Sequence, residues 1–179
     1  LEFRRVLFRS PYATPHLASI NVAPGNRFFK SIDGILYDNK ETAVIRCPEN
    51  RQEPVVLPET VRDVGGMAFH GCQHLEEIAL PEGVQEIGSM AFYGCGNLKS
   101  IVIPPKVRRI QAQTFVLCGR LSDVSLPEGL EMIGDGVFWG CGSLARVKLP
   151  KGLIDLHDKA FENCEARIER AGDAQRKDP

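Results

Sequence analysis

The 179-residue chain lacks the features that mark membrane-spanning and nucleic-acid-binding proteins. No apolar stretch approaches the roughly 18 residues of a membrane helix. The formal net charge is only −1, whereas binding to nucleic acid by counterion release needs clustered lysines and arginines. We therefore expect neither membrane insertion nor a nucleic-acid partner.

The sequence also lacks the motifs of common catalytic and metal sites. Its six cysteines form no C-x-x-C pair of the kind that zinc sites use. Its four histidines follow neither an H-E-x-x-H pattern nor a Ser/His/Asp order. We expect no catalytic residue, no bound metal and no cofactor.

The opening segment, Leu1–Ser10, differs from everything that follows it. It has arginines inside its apolar run and no small-residue cleavage site, so it does not read as a signal peptide. Because it also ignores the periodicity described below, we interpret it as a cloning or assembly scar. The absence of a signal peptide therefore leaves the location of the protein open.

From residue 58 onward the sequence repeats with a step of 23 residues. Four residue types keep this step independently, which chance does not produce over five units, and a fixed period of this length predicts a solenoid. The periodic residues are Pro58, Pro81, Pro104, Pro127 and Pro150; Phe69, Phe92, Phe115, Phe138 and Phe161; Cys72, Cys95, Cys118, Cys141 and Cys164; and Leu75, Leu98, Leu121 and Leu144.

Each unit has the pattern of a short strand followed by a return path. The end of the segment Leu75–Leu80 alternates between inward and outward positions, which predicts a strand whose copies stack in parallel about 4.8 Å apart. Pro81 ends the strand because it lacks the N–H that a ladder needs. Val84 and Ile87 then point inward. Such a short unit needs its neighbours to bury its apolar face.

The units resemble the BspA-like leucine-rich repeat family, whose 23-residue signature is close to Leu-x-x-Ile-x-Leu-Pro-x-x-Val-x-x-Ile-Gly-x-x-Ala-Phe-x-x-Cys. The second unit matches it through Leu80, Pro81, Val84, Ile87, Gly88, Ala91, Phe92 and Cys95. The resemblance covers roughly residues 17–164. It implies a β-rich α/β solenoid of stacked leucine-rich repeats with parallel short strands, and a cell-surface or secreted setting, often in adhesion.

The N-terminal segment carries a lengthened repeat. Leu17–Val22 has the strand pattern, and the next strand, at Val55–Leu57, starts 12 residues later than the period requires. Between them, Ile35–Tyr37 and Ala43–Ile45 flank the polar segment Asp38–Glu41, which predicts an inserted β-hairpin with a loop of four or five residues. The family that the units resemble often carries such a hairpin.

We predict one leucine-rich repeat domain with an irregular end. Arg167 and Arg170 replace the expected Leu and Ile, and Ile168 is one position out of register. Because the pattern begins in the middle of a unit, further repeats are expected on the N-terminal side. The predicted divisions are the domain at 11–166, its hairpin-bearing long repeat at about 17–54, its regular repeats at about 55–166, and a frayed or capping strand with a polar tail at 167–179.

The periodic phenylalanines and cysteines are predicted to form the structural core. Stacked cysteines have parallel Cβ vectors, which keeps their Cβ atoms near 4.8 Å apart, beyond the roughly 3.5–4.5 Å that a disulfide prefers. We therefore expect small buried thiols that fill the turn. Cys47 lies off the period, and the sequence assigns it no role.

Outward residues of the predicted strands define a first candidate surface, the strand face, which is the usual recognition surface of the resembled family. Its charge passes from acidic to basic along the solenoid axis, but it carries no aromatic residue of the kind that strong interfaces favour. An ordinary solvated sheet face is therefore the alternative. The candidate binding residues are Glu76, Glu77, Lys99, Ser100, Asp123, Arg146 and Lys148.

A second candidate surface, the aromatic edge, consists of the residues that follow each periodic phenylalanine. Tyr93 and Trp139 are its aromatic members, and two repeats would separate them by about 10 Å. Partial burial against the next turn is the alternative to binding. The edge comprises His70, Tyr93, Val116, Trp139 and Glu162.

Together these patterns favour a non-catalytic module that binds a protein or another macromolecular ligand. A structural spacer that presents another domain is the alternative. An enzyme is less favoured, because the residues that converge in the repeats are apolar.

Overall fold

The computed structural model of the chain describes residues 17–170, and these form a β-solenoid. The segment interpreted as a scar, Leu1–Ser10, and the tail after residue 170 lie outside the described residues. No helix occurs within residues 17–170, so the expected α/β class is wrong. The reason lies in the turns, where Met67 and Gly71 both have positive φ. The three residues between them are too few for a helical turn of 3.6 residues.

The described chain contains twelve short strands. They are β1 (Phe29–Ile32), β2 (Ile35–Asp38), β3 (Ala43–Arg46), β4 (Asp63–Val64), β5 (Glu86–Ile87), β6 (Ser100–Val102), β7 (Arg109–Ile110), β8 (Asp123–Ser125), β9 (Met132–Ile133), β10 (Arg146–Leu149), β11 (Asp155–Leu156) and β12 (Arg167–Arg170).

The longest sheet runs along the return path of the repeats, not along the predicted strand column. It has eight strands in the order β1-β2-β3-β4-β5-β7-β9-β11, and from β3 onward the pairs are parallel. Ile87 pairs with Val64 on one side and with Ile110 on the other, each 23 residues away. One repeat therefore advances the sheet by one strand.

The predicted strand column forms two shorter parallel pairs. β6 pairs with β8 and β10 pairs with β12. Residues 76–80 and 55–57, where the pattern also predicts strands, form no regular strand, although the Lys99 N–H still donates to the Glu76 carbonyl at 3.0 Å. The column is thus extended throughout, but it is regularly paired only in the later repeats.

The core is a stack of equivalent side chains from successive repeats. The rings from Phe69 to Phe161 lie nearly parallel, with centroids 5.1, 5.5, 5.6 and 5.0 Å apart along the column. The first four phenylalanines are fully buried, whereas Phe161 at the end of the column is partly exposed. Offset aromatic pairs at these distances add about 0.5–1.5 kcal/mol each beyond the burial of their apolar area.

The predicted hairpin is present and belongs to a three-stranded antiparallel meander. β2 and β3 form the hairpin around a four-residue loop, in which the Asp38 carboxylate accepts hydrogen bonds from the Thr42 and Ala43 N–H groups at 2.6 and 2.7 Å. β1, which the sequence analysis missed, pairs with β2 through the two-residue turn of Asp33 and Gly34. Both turn residues have positive φ, as a type I′ turn requires.

The final strand restores its register by shortening the last unit. Ile168 pairs with Val147, and Arg167 pairs with Arg146, so each partner is 21 residues away instead of 23. The Arg167 N–H donates to the Ala145 carbonyl at 2.9 Å. The apparent shift of Ile168 in the sequence is therefore a two-residue deletion in the connection, and the strand closes the ladder with Ile168 packed against the core.

Candidate interaction surfaces

The strand face is solvent-exposed along its whole length. All seven candidate binding residues that the sequence analysis named on it are exposed. Its acidic end is partly neutralised, since the Lys99 ammonium lies 2.5 Å from the Glu76 carboxylate of the preceding repeat. A hydrogen bond from Lys99 lowers the pKa of Glu76. The surface is therefore a regular charged grid, and an exposed ion pair of this kind contributes little to stability.

The aromatic edge is concave. Tyr93 and Trp139 are half-buried and line one cavity of about 660 Å³, with Val116 between them in the column. The ring of His70 stacks on that of Tyr93, with centroids 5.1 Å apart and planes 9° apart. The structure thus brings together the aromatic residues that the sequence placed two repeats apart, and it adds His70 to them.

Backbone turns hold the aromatic edge in place. The Gly71 N–H donates to the Tyr93 carbonyl at 2.8 Å, and the Leu117 N–H donates to the Trp139 carbonyl at 2.9 Å. Leu117 has a φ of 58° and is 44% exposed, at a position where Gly71 and Gly94 stand in the earlier repeats. A leucine in this left-handed conformation costs roughly 1–2 kcal/mol. The edge therefore tolerates some backbone strain beside its aromatic side chains.

Charge around the aromatic edge is mainly acidic. Glu49, Asp135 and Glu162 line the cavity, with Lys159 as a basic neighbour. His70 is close to Glu49, with 4.0 Å between its Nδ1 and a carboxylate oxygen, yet burial lowers the pKa of His70 and the Arg46 guanidinium adds to this. The neutral imidazole is therefore favoured near neutral pH, and the carboxylates set the sign of the cavity's charge.

The cysteine column is built for packing. The thiols of Cys95, Cys118 and Cys141 each donate to the carbonyl of the phenylalanine one repeat before, at 3.0, 3.2 and 3.1 Å. Burial raises the pKa of all three thiols, that of Cys118 to about 12. A buried, protonated thiol is a poor nucleophile. Cys164 is only partly buried, so it departs from the expected core position.

Cys47, which the sequence could not assign, is the first member of the core column. Its N–H donates to the Ala68 carbonyl at 2.6 Å, as the Phe69 N–H donates to the Ala91 carbonyl one repeat later at 2.8 Å. The Cys47 backbone therefore occupies the position of a repeat phenylalanine. The sequence hides this equivalence, because the connection that precedes Cys47 is shorter than in the other units.

The arrangement of polar groups gives no support to metal binding. Within residues 17–170, no group of three or more histidine, cysteine, aspartate and glutamate side chains is placed to hold a metal ion. The same part of the chain holds no helix that is long and apolar enough to span a bilayer.

Stacked 23-residue turns with a phenylalanine column, a cysteine column and parallel ladders define the chain as a leucine-rich repeat solenoid. The family model described as a BspA type leucine rich repeat region matches residues 47–167 in six copies. The chain therefore belongs to the BspA-type leucine-rich repeat family. The first of the six copies begins at Cys47.

Solved bacterial structures share this fold. A leucine rich cell surface protein from Faecalibacterium prausnitzii is 30% identical with a TM-score of 0.77, over 82% of this chain and 40% of that one. A leucine-rich repeat protein from T. pallidum is 32% identical with a TM-score of 0.60, over 82% and 70%. One from Bacteroides ovatus is 27% identical with a TM-score of 0.64, over 86% and 46%.

The chain thus spans less than half the length of the Faecalibacterium protein. A comparison with curated proteins finds no match.

Proposed function

We propose that this chain is a non-catalytic module that binds another protein through the aromatic edge. The observation that carries the proposal is the cavity of about 660 Å³ that Tyr93 and Trp139 line together. Concave sites with aromatic walls and a few polar groups are typical of binding sites, and tyrosine and tryptophan are common binding hot spots. Leucine-rich repeat domains typically mediate protein interactions, which supports the same proposal.

The partner that fits this cavity is a protein segment with an exposed lysine or arginine. The acidic groups around the rim attract a cation, and the faces of Tyr93 and Trp139 can hold it by cation–π contact. A contact of this kind contributes about 0.5–2 kcal/mol. The strand face is the second candidate surface, because its exposed charges also vary from repeat to repeat.

A cell-surface setting with an adhesive role is part of the proposal. Its support is the family membership and the similar Faecalibacterium protein, which is described as a cell surface protein. A structural spacer that presents another domain remains the alternative function.

The test uses Trp139, the only tryptophan in the chain, as an intrinsic fluorescent probe. Random peptides displayed on phage are selected against the immobilised protein, and enriched peptides are then titrated while Trp139 fluorescence is followed. We expect the enriched peptides to carry lysine or arginine and to change the fluorescence. Tyr93→Ala should weaken binding by about tenfold or more, as expected for a hot-spot residue.

Charge reversals on the strand face provide the matched control. Glu77→Lys and Arg146→Glu should leave the affinity of the selected peptides nearly unchanged, with thermal melting used to verify that every variant is folded. If the reversals abolish binding while Tyr93→Ala does not, the strand face is the binding surface. If no selected peptide depends on either surface, the spacer function gains support.

A further inference from the structure

Cys47 and Cys72 differ from every other pair of neighbouring cysteines in the described chain. The thiols of both donate to the same oxygen, the Pro48 carbonyl, at 3.8 and 3.7 Å. The Cys72 thiol also lies 3.9 Å from the Cys47 carbonyl. Two sulfur atoms therefore meet at a single acceptor, whereas the later cysteines bond one by one to separate carbonyls.

The geometric argument against disulfides in the cysteine column does not apply to this pair. That argument requires equivalent positions, whose Cβ vectors are parallel. Cys47 instead occupies the phenylalanine position of its unit, while Cys72 occupies the cysteine position of the next unit. Their Cβ vectors start from different points of the turn, so the two side chains can converge.

Both thiols also face a cavity. Cys47 and Cys72 line a cavity of about 420 Å³, and Arg51 and His74 line it with them. A hydrogen bond from the Cys72 thiol lowers the pKa of Cys47; burial opposes this, and the guanidinium groups of Arg51 and Arg46 add to the lowering. Cys47 is therefore the better nucleophile of the two, and Cys72 keeps its proton because the same hydrogen bond and burial raise its pKa.

We propose that Cys47 and Cys72 form a redox-active thiol pair that a low-molecular-weight disulfide oxidises to an intramolecular disulfide. The Cys47 thiolate attacks one sulfur of the small disulfide, which forms a mixed disulfide and releases one small thiolate. Cys72 then loses its proton and attacks the Cys47 sulfur, which releases the second small thiol. The two cysteines are oxidised, and the small disulfide is reduced to two thiols.

The resulting bond joins two parts of the fold. Cys47 follows the antiparallel meander, and Cys72 belongs to the first regular repeat. The disulfide closes a loop of about 25 residues and ties the meander to the solenoid. Oxidation would therefore stabilise the junction between these two regions.

The test treats the reduced, folded protein with oxidised glutathione. After acid quenching, free thiols are alkylated under denaturing conditions and the digest is analysed by mass spectrometry. We expect the Cys47 and Cys72 peptides to be linked, while Cys95, Cys118 and Cys141 carry the alkyl group. Cys164, which is partly exposed, should react more slowly than Cys47 and stop at a glutathione adduct. The oxidised protein should also melt at a higher temperature, and a reductant should reverse the shift.

Single-cysteine variants decide the roles. Cys72→Ser should accumulate the glutathione adduct on Cys47, and Cys47→Ser should leave Cys72 unmodified. The matched control, Cys118→Ser, should still form the linked pair. A linkage between other cysteines, an unmodified Cys47 in the folded wild-type protein, or a Cys72→Ser variant without the adduct would each overturn the proposal. Circular dichroism verifies the fold of each variant.

Discussion

Phe92 and Phe161 occupy the same position of the repeat but have different surroundings. Phe92 is fully buried and stacks on a phenylalanine ring on each side, at 5.1 and 5.5 Å. Phe161 stacks on Phe138 at 5.0 Å and is partly exposed. The same difference separates the interior cysteines from Cys164. Burial of a residue in this solenoid therefore depends on the repeats beside it more than on its own unit.

The largest expected effect is the truncation of an interior ring. Phe92→Ala should lower the free energy of unfolding by about 3–5 kcal/mol, because a buried aromatic side chain and both of its ring contacts are lost. Phe161→Ala should cost roughly half as much, since that ring is already partly solvated. Urea denaturation followed by circular dichroism measures both losses. Equal losses would show that the terminal repeat is packed as tightly as the interior.

Gly88 tests how closely adjacent turns approach each other. A Cβ at this position would lie 2.5 Å from the Gly66 nitrogen and 2.8 Å from its Cα, which are backbone atoms that cannot move cheaply. Gly88→Ala should therefore destabilise the protein by about 1–3 kcal/mol. Gly142→Ala is the matched control, because no atom lies within 4 Å of its added Cβ. A thermal melt in which the two variants behave alike would contradict the close approach.

Thiol reactivity gives a third comparison between the interior and the end. Cys164 should be alkylated faster than Cys118 in the folded protein, because Cys118 is fully buried and its pKa is raised to about 12. Unfolding releases the Cys118 proton more easily, so its contribution to stability is lost as pH rises from about 9 toward 12. Quantitative labelling with iodoacetamide checks the order. Faster labelling of Cys118 would contradict it.

The smallest effect is expected at Leu117. Leu117→Gly should change the free energy of unfolding by less than about 1 kcal/mol, because relief of the positive φ offsets the flexibility that glycine adds to the unfolded chain. Leu121→Ala serves as the contrast, since that side chain is fully buried and its loss should cost about 2–5 kcal/mol. Chemical denaturation measures both changes. A large loss for Leu117→Gly would mean that its exposed side chain packs against a neighbour.

Features that repeat strictly were predictable from the sequence. The phenylalanine column and the β2–β3 hairpin follow from residue spacing and from a polar loop between apolar runs. The eight-stranded sheet was not predicted, because strands of two residues are too short to show alternation. β1 was missed although Asp33-Gly34 is a strong turn signal. Its short flanking segment contains only four residues.

The candidate surfaces were predictable only as lists of residues. Spacing places Tyr93 and Trp139 on one side of the solenoid, but it does not show that they enclose a cavity. The stacking of His70 on Tyr93 depends on side-chain rotamers and on the depth of the turn between repeats. The role of Cys47 depends on a shortened connection, which a fixed period cannot reveal.

The continuous ladder also has a mechanical consequence. Each strand from β4 to β11 pairs with partners about 23 residues away along the chain. Because contacts reach no further than the adjacent turns, the chain can fold by adding one turn at a time to an existing edge. A force that pulls on the C-terminal end should then peel the solenoid turn by turn, and each release should lengthen the chain by one repeat.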